Sequence, residues 1–477
     1  DVEVTGTFTA TIKPSLDVTT DSKEEVADAA YSTVTIANDK VWDVKANTIS
    51  ADKVSVSVDA DGVASEVKIA NGGQITTVLE VTRTIEKGKW ALMSLPFAVD
   101  LANVTVDGAA AVNNSNIKVM VYDAAYRAAN STEGMTKSGW KELTGTTIAA
   151  NQGFAVAINA NNGDEQKVTF TATSQIYDGS DKQIALSRYA STVNEGADAD
   201  WNFYGNPTLA KAQKGTGYAL YVYNAEDDSY DEYASSDVAT YQPYAAWFVQ
   251  SADDFNAMSF SAGVAGALAE ADGVFGELQF TLNDDDEARI VLVEESSEEY
   301  VRNEDALYFP AINTNLSQLY LVKGNIKMAV SEQPSLTSMA MGYKAVKSGE
   351  QTLTLTSVPE NTNVVLVDNV AGTETAMTLG DTYTFQSEAG TYNNRFVIET
   401  TDLTGISQAV ADGEVKVLVN GTEINVYGAE AGTEVVAYTT NGTVVASAVA
   451  EEGVTTLSTT ATGVIVVKVA NTAVKVI

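Results

Sequence analysis

The chain carries 64 Asp and Glu side chains against 28 Lys and Arg, with no histidine and no cysteine. That inventory bounds its chemistry before any motif is sought. Without imidazole or thiol there is no Ser-His-Asp or Cys-His nucleophile, no His- or Cys-based zinc site, and no side chain with an ordinary pKa near neutrality to shuttle protons. A pair of carboxyl groups could still hydrolyse a glycosidic bond, but no spacing selects one pair among so many acids. No Gly-x-Ser-x-Gly elbow occurs, and no glycine-rich phosphate loop precedes a helix. The chain is expected not to be an enzyme, and no catalytic, cofactor-binding or metal-ligating residue is singled out. Two acidic runs invite a test for calcium. Asp59-Ala60-Asp61-Gly62 opens like a calcium loop but lacks the later ligands, so a hairpin turn is expected. Asp284 to Glu287, within the run Asn283-Asp284-Asp285-Asp286-Glu287, reads as a solvated turn between two strands. No cofactor follows, with weakly bound calcium the one ion left open. The 21 tyrosines, dense from Tyr218 to Tyr244, suit a glycan-stacking face or sheet packing, and packing is the expected use.

The elements that would position such residues are strands. Val and Thr recur in short alternating runs and helical periodicity is scarce, so the expected fold is all-β, a multidomain array of antiparallel β-sandwich modules of Ig-like or jelly-roll-like type. At 477 residues with 45% hydrophobic content, several cores are required. The expected division is an N-terminal β domain over 1–80, tandem modules over 81–265, a sandwich over 276–401 and a terminal Ig-like module over 413–477. Residues 2–12 alternate as a strand able to complete its own sheet or pair with a neighbouring molecule. Residues 21–31 (Asp-Ser-Lys-Glu-Glu-Val-Ala-Asp-Ala-Ala-Tyr) suggest a helical turn. A net charge of −36 repels phosphate backbones, which excludes nucleic acid as a partner. No apolar run reaches the roughly 20 residues of a membrane span, and Asp1-Val2-Glu3-Val4 reads as a processed terminus.

An internal duplication stands out. Trp90 to Pro96 and Trp201 to Pro207 share the same interval. Each is followed by a Val-Tyr strand (Ile117 to Tyr122; Tyr218 to Tyr223), a strand introduced by Gly153 or Pro243, and a closing strand (Val168-Thr-Phe; Met258-Ser-Phe). Residues 82–172 and 195–262 are therefore expected to be two copies of one β-module, with Trp90 and Trp201 as equivalent buried anchors.

The last 65 or so residues read as a small antiparallel sandwich, with hairpins at Asn420-Gly421 and Asn441-Gly442. The run Tyr438-x-x-Asn441-Gly442, then Gly463-Val-Ile-Val-Val-Lys468-Val, then Lys475, resembles the C-terminal sorting domain of type IX secretion cargo in Bacteroidota. That family usually has an aromatic two residues after the glycine, where this chain has Ile465. The two Trp-to-Pro segments, and the series from Asp305-Ala-Leu to Arg395-Phe396, resemble surface proteins of the same bacteria. The resemblance implies an extracellular, cell-surface location and the type IX secretion machinery as a partner, with Asn441, Gly442, Gly463, Lys468 and Lys475 as the sorting signal. The resemblance marks a fold and a route, not an activity. The absence of a catalytic signature and the alternating strands at both ends of the chain lead to the expected function, a non-catalytic structural protein that self-associates into a layer, fibre or scaffold. The alternative is a secreted adhesin or glycan-binding protein.

Overall fold

Short runs rich in Val, Thr and Tyr cannot bury an apolar face alone and must pair, and almost every element in the computed structural model is a strand. The structure describes residues 13–21, 23–25, 28–130, 139–159, 164–191, 199–260, 273–336, 338–360, 362–402, 416–420, 423–439, 442–450, 454–461, 465–470 and 472–476. Among them the one α-helix is Ala124–Asn130, whose first turn is capped where Tyr126 N donates to Asp123 Oδ1 at 2.8 Å. The chain divides into two compact units. One comprises Asp1–Ser335, Met339–Ser357 and Thr382–Phe396; the other comprises Leu336–Ser338, Val358–Asp381 and Val397–Ile477.

The first unit opens with a coil of parallel strands. Leu16–Val18, Ala30–Ile36, Thr48–Val58 and Gln74–Glu86 run parallel in one sheet. Lys23–Glu24, Val41–Lys45 and Glu66–Ile69 run parallel in a second. The chain visits the sheets in turn, and Val34, Trp42, Val54, Val67 and Leu79 fill the space between them. This corrects the antiparallel expectation for residues 16–80; the strand expected over 2–12 lies outside the described residues. Side chains alternate with period two in either orientation, so the sequence pattern does not separate parallel from antiparallel pairing. The expected helical turn over 21–31 is also replaced. Lys23–Glu24 pairs with Trp42 and Asp43, and a strand begins at Ala30, so tertiary pairing overrides the local Ala/Glu preference. Nor does the chain break after residue 80. Gln74–Glu86 pairs with Thr48–Val58 on one edge and with Glu165–Thr171 on the other, joining the coil to the first repeat in one sheet.

The two repeats match strand for strand. In the first, Ala91–Ser94, Gly153–Ile158, Ile117–Tyr122 and Trp140–Glu142 lie side by side in that order; in the second, Trp201–Gly205, Ala246–Gln250, Leu220–Asn224 and Ser229–Tyr233 do so. The registers agree residue for residue. Ala91, Leu92, Met93 and Ser94 face Val156, Ala155, Phe154 and Gly153. Asn202, Phe203, Tyr204 and Gly205 face Val249, Phe248, Trp247 and Ala246. The minor pairs repeat as well, Val99 with Ile148 and Ala212 with Tyr241. The second copy begins upstream of residue 195, because Lys182–Ala185 pairs with Ala257–Phe260 as the end of Gln74–Glu86 pairs with Glu165–Thr171. One core accepts equivalent faces of both sheets: Leu92 and Phe203, Ala155 and Phe248, Trp90 and Trp201. The two tryptophans are not equally buried, however. Trp201 is wholly enclosed beneath Arg127, whose guanidinium lies 4.5 Å from the ring centre, whereas Trp90 is half-buried at the edge.

The rest of this unit is a sheet ordered Met339–Ala345, Gln318–Lys323, Ile326–Gln333, Asp286–Val293, Val274–Leu282, Gly349–Ser357, Thr382–Ser387. In the second unit, Thr362–Asp368 and Thr373–Met377 form a hairpin. Its last seven strands make a three-stranded sheet (Lys416–Asn420, Glu423–Tyr427, Val454–Ser458) and a four-stranded one (Val444–Val449, Glu434–Thr439, Ile465–Val469, Thr472–Val476). Val417, Ile424, Val435, Leu457 and Val467 are among the residues of their common core.

Candidate functional site

The acids that sequence spacing could not sort are sorted by folding. Asn283 and Asp284, at φ 55° and 59°, turn the chain between Val274–Leu282 and Asp286–Val293; Asn and Asp tolerate that left-handed region best among side-chain-bearing residues. The turn lies beside Ser229–Tyr233 of the second repeat, and the two border a cleft of about 560 Å3. Asp231, Glu232 and Asp237 line it from the repeat, and Asp285, Asp286 and Glu287 from the hairpin, with Arg289 the single basic residue in the lining.

Most of these carboxylates have structural employment. Glu232 Oε1 accepts from Phe309 N at 3.1 Å. Asp285 Oδ2 and Asp286 Oδ2 accept from Ser317 N at 3.1 Å and Leu319 N at 2.8 Å, which anchors the start of Gln318–Lys323. Burial, and then the Asp286 charge, pushes Glu232 well above the usual carboxylate range. Burial raises Asp286 to about 7; Glu287 and Asp231 are also raised by desolvation in the cleft, to a lesser extent because both side chains remain exposed to solvent. Arg289 is the counterweight. Burial opposes its charge, but Asp237 at 2.7 Å and Glu277 at 3.1 Å hold its pKa above the ordinary value.

Behind the cleft two more acids are enclosed without a salt bridge. Asp305 accepts from Val301 N at 2.8 Å, Glu332 N at 2.9 Å and Ser331 Oγ at 3.1 Å, and burial raises it to about 6. Glu332 accepts from Ser236 N at 2.5 Å, and burial raises it to about 7. Lys214 is buried nearby, donating to the carbonyls of Gly215, Ser235 and Asp237 at 3.1, 3.0 and 2.9 Å, and burial lowers it to about 8. Glu232, and Asp286 and Glu332 in part, therefore retain protons at neutral pH, and Glu232 with Asp286 is the smallest set that acid–base chemistry on a saccharide would use.

Among the described residues no three acids converge as a metal site. The Asp59 run forms a turn, with Val63 N donating to Asp59 Oδ1 at 2.8 Å and Gly62 at φ 94°. In the tyrosine-rich stretch Tyr218, Tyr221, Tyr230, Tyr241 and Tyr244 are all buried, so their rings pack the core.

Of the residues expected to form a sorting signal, Gly442 sits at φ 86° in the turn closed by Gly442 N donating to Thr439 O at 2.9 Å. Lys468 is exposed and pairs with Val436 and Ala473. Lys475 pairs with Val466. Asn441 and Gly463 lie outside the described residues. The structure places Gly442, Lys468 and Lys475 in one sheet or its hairpin turn. The cleft acids were invisible as a set in the sequence. Glu232 sits in an alternating strand and the hairpin acids in a turn, and neither signal announces that the two will face each other. No family model matches the chain, and no curated protein matches it.

Proposed function

We infer that the protein is a non-catalytic structural component of the bacterial cell surface, delivered by type IX secretion and self-associating once outside. The observation that carries this reading is the use of its functional side chains: Tyr218, Tyr221, Tyr230, Tyr241 and Tyr244 pack the core, and Glu232, Asp285 and Asp286 of the cleft accept from backbone N–H groups. Strand edges offer the means of association. Among the described residues Leu16–Val18 and Val444–Val449 each end a sheet, and Val444 and Val449 stand 54% and 62% exposed.

The charge of −36 opposes contact between copies, so association should strengthen with ionic strength or millimolar calcium. Light scattering of the purified full chain, titrated with salt and with calcium, is the test. Growth of particle mass with either is expected. A chain that stays monomeric at high concentration throughout would sink the reading. Saccharide binding or turnover abolished by Glu232→Gln would move the function into the cleft.

A further inference from the structure

The two repeats hold each other by matched contacts. Ser94 N donates to Tyr244 O at 3.1 Å, and Gly205 N donates to Asn151 O at 3.3 Å. These are one bond made twice, since Ser94 corresponds to Gly205 and Asn151 to Tyr244 in the aligned registers, and both carbonyl residues adopt a positive φ (63° and 66°). The isolated bridges Met93 with Ala245 and Gln152 with Tyr204 form a second matched pair. An approximate two-fold axis therefore relates the modules, with the shared aromatic core around it.

The link between the halves is very short. Gln175–Asp178 belongs to the upstream side, paired with residues 74–77. Lys182–Ala185 belongs to the downstream side, paired with Ala257–Phe260. Only Gly179, Ser180 and Asp181 lie between. Asp178 closes this turn by accepting from Ser180 N at 2.8 Å and Lys182 Nζ at 2.6 Å, and from Ser180 Oγ. The turn is also tightly seated, because a Cβ on Gly179 would lie 2.0 Å from the Ala70 carbonyl oxygen.

We propose that the partner in self-association is a second copy of this chain, taken up by exchanging everything downstream of the Gly179–Asp181 hinge. This rests on the self-association reading and gives it a route. If the hinge extends, the second module leaves its own first module and docks on that of another chain, where the same backbone bonds and core contacts re-form. Exchange then alters only the hinge and the effective concentration of the partner. Short hinges favour exchange, and lengthening one relieves it.

The chain contains no cysteine, so an engineered pair reports cleanly. Gln152→Cys with Tyr204→Cys places thiols on facing residues of one bridge, and Met93→Cys with Ala245→Cys does so on its mate should the first variant fail to fold. After oxidation of the full chain and separation by size, oligomer fractions should run on a non-reducing denaturing gel as covalent multimers that collapse to monomer on reduction. Inserting about five Gly/Ser residues after Ser180 should lower the oligomer fraction several-fold, and Asp178→Ala should raise it. Oligomers whose disulfides all stay within single chains would overturn exchange while leaving self-association intact. Absence of oligomers at every salt and calcium concentration would overturn both.

Discussion

Asp305 and Glu332, 1% and 3% exposed, are buried carboxyls satisfied by backbone and hydroxyl donors rather than cations, and they couple stability to pH. In the unfolded chain such groups lose their protons near pH 4. In the folded chain they keep them to about 6 and about 7, as does Asp286 to about 7. The folded state therefore binds more protons between those values, and their contribution is full below about pH 4 and lost as pH rises through 7. Asp178 acts oppositely. Lys182 and Ser180 hold it down to about 2, so its contribution is present above about pH 4 and fades as pH falls towards 2. The midpoint of urea unfolding at fixed ionic strength should peak at about pH 4 to 5 and decline towards pH 8. Glu332→Gln should flatten the alkaline decline and leave the acid limb unchanged. A midpoint that rises from pH 5 to 8 would contradict the assignment.

At the scale of elements, the duplication rests on complementary sizes. Gly153 leaves room for Phe203, since a Cβ there would lie 2.2 Å from the ring. Gly153→Ala should cost about 1–3 kcal/mol by overpacking. The double variant with Phe203→Leu should recover part of that loss, because Leu92 is what the first module carries at the matching place; additive losses in thermal melts would refute the coupling. Much of this was legible in the residues. The Trp-to-Pro interval announced the repeat, and the Asn283 to Glu287 run marked its hairpin. The parallel coil from Leu16 to Glu86 was not legible, because alternation in Thr48–Val58 or Gln74–Glu86 reads alike for either strand direction. Nor was the meeting of Glu232 with Asp286, which depends on contact between segments more than 50 residues apart. The Ala124–Asn130 helix was missed because its seven residues are too few to show a helical period.

For the whole molecule, the proposed delivery and the proposed assembly make separate demands. Ile465–Val469 and Thr472–Val476 complete a sheet of the terminal sandwich, so deleting residues 464–477 removes two strands and exposes an edge of Glu434–Thr439. If that sandwich is the export address, the truncated chain should accumulate in the periplasm by fractionation, and normal surface delivery would refute it. The inequality of the two modules bears on assembly. Alanine stands at 155 where the second copy has Phe248, and glycine at 153 where it has Ala246, so a first module fits a second better than it fits another first. A strand of molecules joined through that mismatch has a direction, like an arrow. One tip always offers a vacant first module and the other a vacant second, and the two tips would lengthen at different speeds.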